Sequence, residues 1–141
     1  MKFIIGVIAS LILVAAQAAE KVWNGGAGTR LWADAANWTG GLPTAADTVK
    51  LANGAVVVAD ATAVCTSVDL AGGTLVLSVA DETSLGFAVG GTGVFDKAGT
   101  GVLTVQAGAF AATVTLCVDD GQLDLNGTAQ TVAGVKGGPH C

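Results

Sequence analysis

Gly73-Thr74-Leu75-Val76-Leu77, Gly101-Val102-Leu103-Thr104-Val105 and Gly121-Gln122-Leu123-Asp124-Leu125 share one form: a glycine, then aliphatic side chains at the third and fifth places. Alternation of this kind marks a strand with one buried face, because successive side chains point to opposite sides. Leu75/Leu77, Leu103/Val105 and Leu123/Leu125 are therefore expected to point inward. Gly93-Val94-Phe95 starts a weaker fourth copy. From Leu75 to Leu103 is 28 residues, and from Leu103 to Leu123 is 20. Periods in that range signal one solenoid coil per repeat, with like residues stacked in ladders along the core. The same strands in an ordinary β-sandwich are the alternative.

Working outward, nine β-prone runs follow residue 47: Thr48–Leu51, Ala55–Ala59, Val64–Leu70, Thr74–Val79, Val94–Lys97, Val102–Gln106, Thr113–Val118, Gln122–Leu125 and Thr131–Val135. Val, Thr and Leu dominate them, and glycines fall between them. No segment of the mature chain holds a helical period. Residues 21–48 have another texture. They carry all three tryptophans, the only arginine, and the turn-rich stretches Asn24-Gly25-Gly26 and Gly40-Gly41-Leu42-Pro43.

The first residues read as an export signal. Lys2 gives a positive start, Phe3 to Ala16 is apolar except for Ser10, and Ala16-Gln17-Ala18 fits the small-x-small cleavage pattern. The apolar run is shorter than the ~20 residues that span a bilayer. Cleavage is expected before Ala19, leaving 141 − 18 = 123 residues. The division expected is 1–18 signal peptide, 19–48 Trp-rich N-terminal cap, 49–135 β-solenoid repeats and 136–141 disordered tail.

Composition narrows the function. Glycine accounts for 21 of 141 residues, about twice its usual share. The formal charge is −5, and −6 once Lys2 is removed. Lys21, Arg30, Lys50, Lys97 and Lys136 are scattered singly, so no basic stripe exists to neutralise phosphates, and nucleic-acid binding is not expected. The three cysteines, Cys65, Cys117 and Cys141, match no zinc spacing. Cys65 and Cys117 lie 52 residues apart, more than two coils. Adjacent coils sit ~4.8 Å apart, beyond the reach of a disulfide across two of them. Both are expected as reduced core fillers, with Cys141 the reactive thiol.

One known pattern matches these residues. Trp23-Asn24-Gly25, Trp32, Asn37-Trp38, Gly41-Leu42-Pro43 and Asp47-Thr48-Val49 resemble the opening segment of large exported bacterial repeat proteins. Gly93-Val94-Phe95-Asp96-Lys97-Ala98-Gly99-Thr100-Gly101-Val102-Leu103-Thr104-Val105 resembles the autotransporter-associated β-strand repeat, roughly G-x-(L/F)-x-K-x-G-x-G-x-L-x-L. Gly121–Val135 resembles the tail of such a repeat. The resemblance implies an all-β, right-handed parallel β-helix and no enzyme. It departs from an autotransporter in lacking, after Gly134, anything that forms a membrane barrel.

Several residues are candidates for chemistry. Trp23, Trp32 and Trp38 suit a cap over the open first coil, which otherwise exposes apolar core and edge amides. The alternative is a carbohydrate-binding module in which they stack on sugars. Gly90-Gly91-Thr92-Gly93-Val94-Phe95-Asp96 approaches the calcium repeat G-G-x-G-x-D, but Phe95 stands where a carboxylate belongs. Asp119, Asp120 and Asp124, with Asn126 nearby, form an acidic knot; calcium takes six to eight oxygens, and Asp124, alternating with Leu123 and Leu125, is expected simply to face solvent. The sole histidine, His140, sits in the tail and gives no Ser-His-Asp or Cys-His arrangement. No cofactor and no metal are expected. The sequons Asn37-Trp38-Thr39 and Asn126-Gly127-Thr128 read as coincidence. The expectation is an exported structural or adhesin-like solenoid segment, secreted or at the cell surface, whose partners are surface glycans or extracellular proteins.

Overall fold

The structure is a computed structural model that describes residues 18–138. Residues 1–17 of the expected signal, and Pro139, His140 and Cys141, lie outside the described residues.

The chain is all-β, a parallel β-solenoid of about four turns. Its strands are β1 (Glu20–Trp23), β2 (Trp38–Thr39), β3 (Thr48–Lys50), β4 (Val56–Asp60), β5 (Ser67–Asp69), β6 (Thr74–Ser78), β7 (Thr83–Ser84), β8 (Ala88–Gly90), β9 (Gly93–Ala98), β10 (Val102–Thr104), β11 (Val114–Val118), β12 (Gln122–Asp124) and β13 (Gly134–Gly137). They form three sheets, ordered β2-β1-β3-β5-β8, β12-β10-β7 and β13-β11-β9-β6-β4. Every pairing among the named strands is parallel except β1 with β2. A sandwich of hairpins would pair its strands antiparallel, so the solenoid expectation holds and the sandwich does not.

Side chains on the inner faces stack as like residues. Val57, Leu75, Phe95 and Leu116 lie in one ladder, and all four are buried. Val49, Val68 and Val89 form a second ladder on the next sheet. The edge of Phe110 leans on Phe95 with ring centroids 5.1 Å apart. Each fully buried large apolar side chain on these ladders contributes roughly 1.5–3 kcal/mol of driving force.

The repeat was legible, but its register was not. Leu75 stacks on Phe95, 20 residues on, so the weaker copy at Gly93 is the true neighbour of the copy at Gly73. Leu103 belongs to another sheet and stacks on Leu123. The 28-residue offset therefore links two faces rather than two coils. Leu75, Leu77, Leu103 and Val105 are buried as expected, whereas Leu125 is exposed, because the last described coil has no further coil to cover it. Strand β13 carries regular structure to Gly137, two residues into the segment expected to be a disordered tail.

Candidate functional site

The N-terminal end is built from residues 20–39. Strand β1 pairs with β3 on one side and with β2 on the other, which sets Trp23 opposite Trp38. A single bridge, Leu31 to Val58, lays the intervening loop along the free edge of β4. Trp32 N–H donates to the Val58 carbonyl at 2.9 Å, and Val58 N–H to the Arg30 carbonyl at 2.7 Å. The loop thus occupies backbone groups that an exposed edge strand would leave open.

Trp23, Trp32 and Trp38 are all buried. Trp38 meets Trp23 and Trp32 edge to face, with centroids 5.0 and 4.9 Å apart, in the T-shaped geometry that aromatic quadrupoles favour. Trp32 also stacks on Phe87 at 6.3 Å, and Trp38 Nε1–H donates to the Trp32 carbonyl at 2.9 Å. A sugar platform needs indole faces open to solvent. These faces are covered by one another, so the stacking role expected as the alternative has no surface here.

Asn37 holds this segment together, and the sequence reading missed it. It is fully buried. Its side chain accepts from Ala27 N–H at 3.0 Å and donates to Thr29 Oγ1 at 2.9 Å and the Leu31 carbonyl at 3.1 Å. An amide so enclosed cannot carry a glycan, which disposes of the first sequon. Asn126, of the second, has φ 50° beside Gly127 at φ 68°, a turn pair.

Beside the cap lies a groove of about 270 Å³, lined by Leu31, Trp32, Leu42, Pro43, Val58 and Val64 among others. Leu31, Leu42 and Val64 are three of the five large apolar side chains exposed among the described residues. Apolar exposure among the described residues is therefore concentrated at this corner.

Lys97 is the least expected core residue. It occupies an inward position between Leu77 and Val118 on the neighbouring strands, and it is fully buried. Its ammonium donates to the carbonyls of Ala98 at 3.0 Å, Gly99 at 2.6 Å and Asp120 at 2.9 Å. A Lys ammonium has three donors, so all are used. Burial pushes its pKa below the ordinary 10.5, against the opposing pull of the Asp120 and Asp96 carboxylates. The arrangement ties the corner after β9 to the corner one coil later.

The acidic knot is engaged in turns. Asp120 accepts from Gly121 N–H and Asp124 from Asn126 N–H, each at 2.8 Å. No group of three or more His, Cys, Asp or Glu side chains is placed to hold a metal ion among the described residues.

Cys65 is a free, buried thiol, as expected. Burial, and secondarily the Asp47 charge, push its pKa up to about 12. Thiolate is the reactive form, so Cys65 in the native protein is expected to resist iodoacetamide at mildly alkaline pH. It should be labelled once guanidinium unfolds the chain. Rapid native labelling would contradict this burial. Cys117 corrects the expectation of a reduced thiol: it is disulfide-bonded. The coil-spacing argument excludes only a bridge between Cys65 and Cys117, and Cys65 is free. Cys141, expected as the reactive thiol, lies outside the described residues.

No protein family, no curated protein and no solved structure matches this chain.

Proposed function

We propose that this chain is an exported, non-catalytic β-solenoid segment of the autotransporter-associated repeat type, presenting a rigid surface to extracellular proteins. The observation that carries the reading is the fate of the repeat signature. In the stretch from Gly93 to Val105, Phe95, Leu103 and Val105 fill the core, and Lys97 ties its own corner to the next. Each of these signature residues serves stacking, as a scaffold requires. The apolar groove beside the cap is where such a scaffold makes contact, and an apolar groove with a hydrophobic rim suits a protein partner.

Adherence tests this reading. Beads coated with the mature chain are expected to adhere to cell or matrix surfaces. The pair Leu42→Asp and Val64→Asp is expected to lower adherence by about tenfold, the loss of ~1.4 kcal/mol of contact energy. Both side chains are exposed, so the melting temperature should hold. Coated beads that adhere no better than bare ones would overturn the adhesive role.

A further inference from the structure

The exported reading puts a cut between Ala18 and Ala19, and the fold holds a buried carboxylate at that bond. Ala19 is gripped from two sides. Its carbonyl accepts from Thr48 N–H at 2.9 Å, and its own N–H donates to Asp47 Oδ1 at 3.1 Å. It stands immediately before β1, whose first residue, Glu20, is in register with Thr48. Ala18, on the other side of the bond, is exposed.

Asp47 is buried at 4 % exposure. Its other oxygen, Oδ2, accepts from Thr44 N–H at 2.8 Å and Thr44 Oγ1 at 2.9 Å. The backbone N–H groups of Thr44 and Ala19, in that order, hold its carboxyl below the usual 3.8, and Lys21 adds a weaker pull. Lys21 does not pair with it directly, because its Nζ donates to the Gly40 carbonyl at 2.5 Å. The other titratable group that senses Asp47 is the Cys65 thiol. Asp47 is thus a buried anion held by neutral donors, whereas buried charges are generally paired.

We propose that Asp47 and Thr44 form a receptor site for the α-ammonium group of Ala19, created when a signal peptidase cuts the Ala18–Ala19 bond. The proposal rests on the export reading. Hydrolysis consumes one water. Ala18 leaves as a carboxylate and Ala19 keeps the nitrogen, which takes up a proton near neutral pH. The nitrogen that donated one N–H as a neutral amide now carries three N–H donors and a positive charge. The same Oδ1 contact becomes a charge-assisted bond, shorter and roughly twice as strong as a neutral one. Removal of the leader thereby locks β1 onto β3 at the first rung, so the fold tightens after the cut rather than before it.

The test uses the chain starting at Ala19, once with a free amine and once with the amine acetylated. The free-amine chain is expected to melt several degrees higher, and Asp47→Asn is expected to abolish the difference. Should Asp47→Asn fail to fold, the wild-type amine is titrated by NMR. It is expected well above the ordinary ~7.7–8.0. Equal melting of the two wild-type forms, or an amine that titrates at its ordinary value, overturns the proposal. N-terminal sequencing of the exported chain separates the two failures. A first residue other than Ala19 removes the cut and this proposal with it. Ala19 with an unshifted amine removes the proposal and leaves export intact.

Discussion

Lys97→Met is expected to destabilise the fold by about 3–5 kcal/mol. Methionine retains the apolar stem but donates nothing, so the carbonyls of Ala98, Gly99 and Asp120 lose their common donor. The Ala98 carbonyl keeps the Val79 N–H, so the cost falls on the Gly99 and Asp120 carbonyls, at ~1–3 kcal/mol for each acceptor left unmet. Equilibrium unfolding in urea measures it. The corner has a second weak point at Gly121, whose φ of +70° favours glycine, and where an added Cβ would meet the Gly99 oxygen and Lys97 Nζ, each at 2.5 Å. A Lys97→Met protein of wild-type stability would mean that the ammonium does not join the coils.

Trp38→Ala should cost a comparable amount, about 3–5 kcal/mol, the range for truncating a large buried aromatic. Trp38 is the middle ring of the cluster, touching both Trp23 and Trp32. Its loss opens a cavity where β1 and β2 meet. A domain with only ~5–15 kcal/mol of total stability would then be close to unfolding at body temperature. Trp38→Phe isolates the polar part. It keeps a ring in place but loses the bond to the Trp32 carbonyl, at about 1 kcal/mol. Calorimetric melting of both variants checks the ranking. A neutral Trp38→Ala would show that the cluster does not brace the first coil.

The period-two alternation made the long strands readable. Each of the nine runs identified in the sequence overlaps a strand, because Val, Leu and Thr alternate there with small or polar residues, but Thr131–Val135 shares only its last two residues with β13 and Val64–Leu70 only three with β5. Four strands were not readable. In β7 (Thr83–Ser84) only two residues are present for alternation to show, and β8 (Ala88–Gly90) has the single aliphatic Val89 between an alanine and a glycine. The segments β1 and β2 owe their strand state to partners far along the chain rather than to local propensity. The register error has a similar cause. Leu75 and Leu103 sit in the same G-x-L-x-(L/V) pattern, and only closure of the coil decides that they lie in different sheets.

The polar core was the least legible part of the site. Asn37, Asp47 and Lys97 are the buried polar or charged residues among those described. In the sequence they look like a sequon, part of the opening-segment pattern and a motif lysine. Their significance lies in which groups converge on them: for Asn37 the folded loop of residues 27–31, and for Asp47 and Lys97 also a residue from a neighbouring coil, Ala19 and Asp120 respectively. The tryptophans were singled out correctly by type. Trp23 and Trp38 are brought together by the pairing of β1 with β2, and Trp32 is set by the bridge of its loop to β4, contacts that spacing alone does not reveal.

Backbone NOEs across one ladder test the account most directly. In the parallel solenoid, Leu75, Phe95 and Leu116 are consecutive rungs. The expected result is amide-to-α-proton contacts between residues near 75 and 95 and between residues near 95 and 116, in the slanted pattern of parallel strands. Close α-to-α proton contacts among these segments, the mark of antiparallel pairing, would contradict the solenoid.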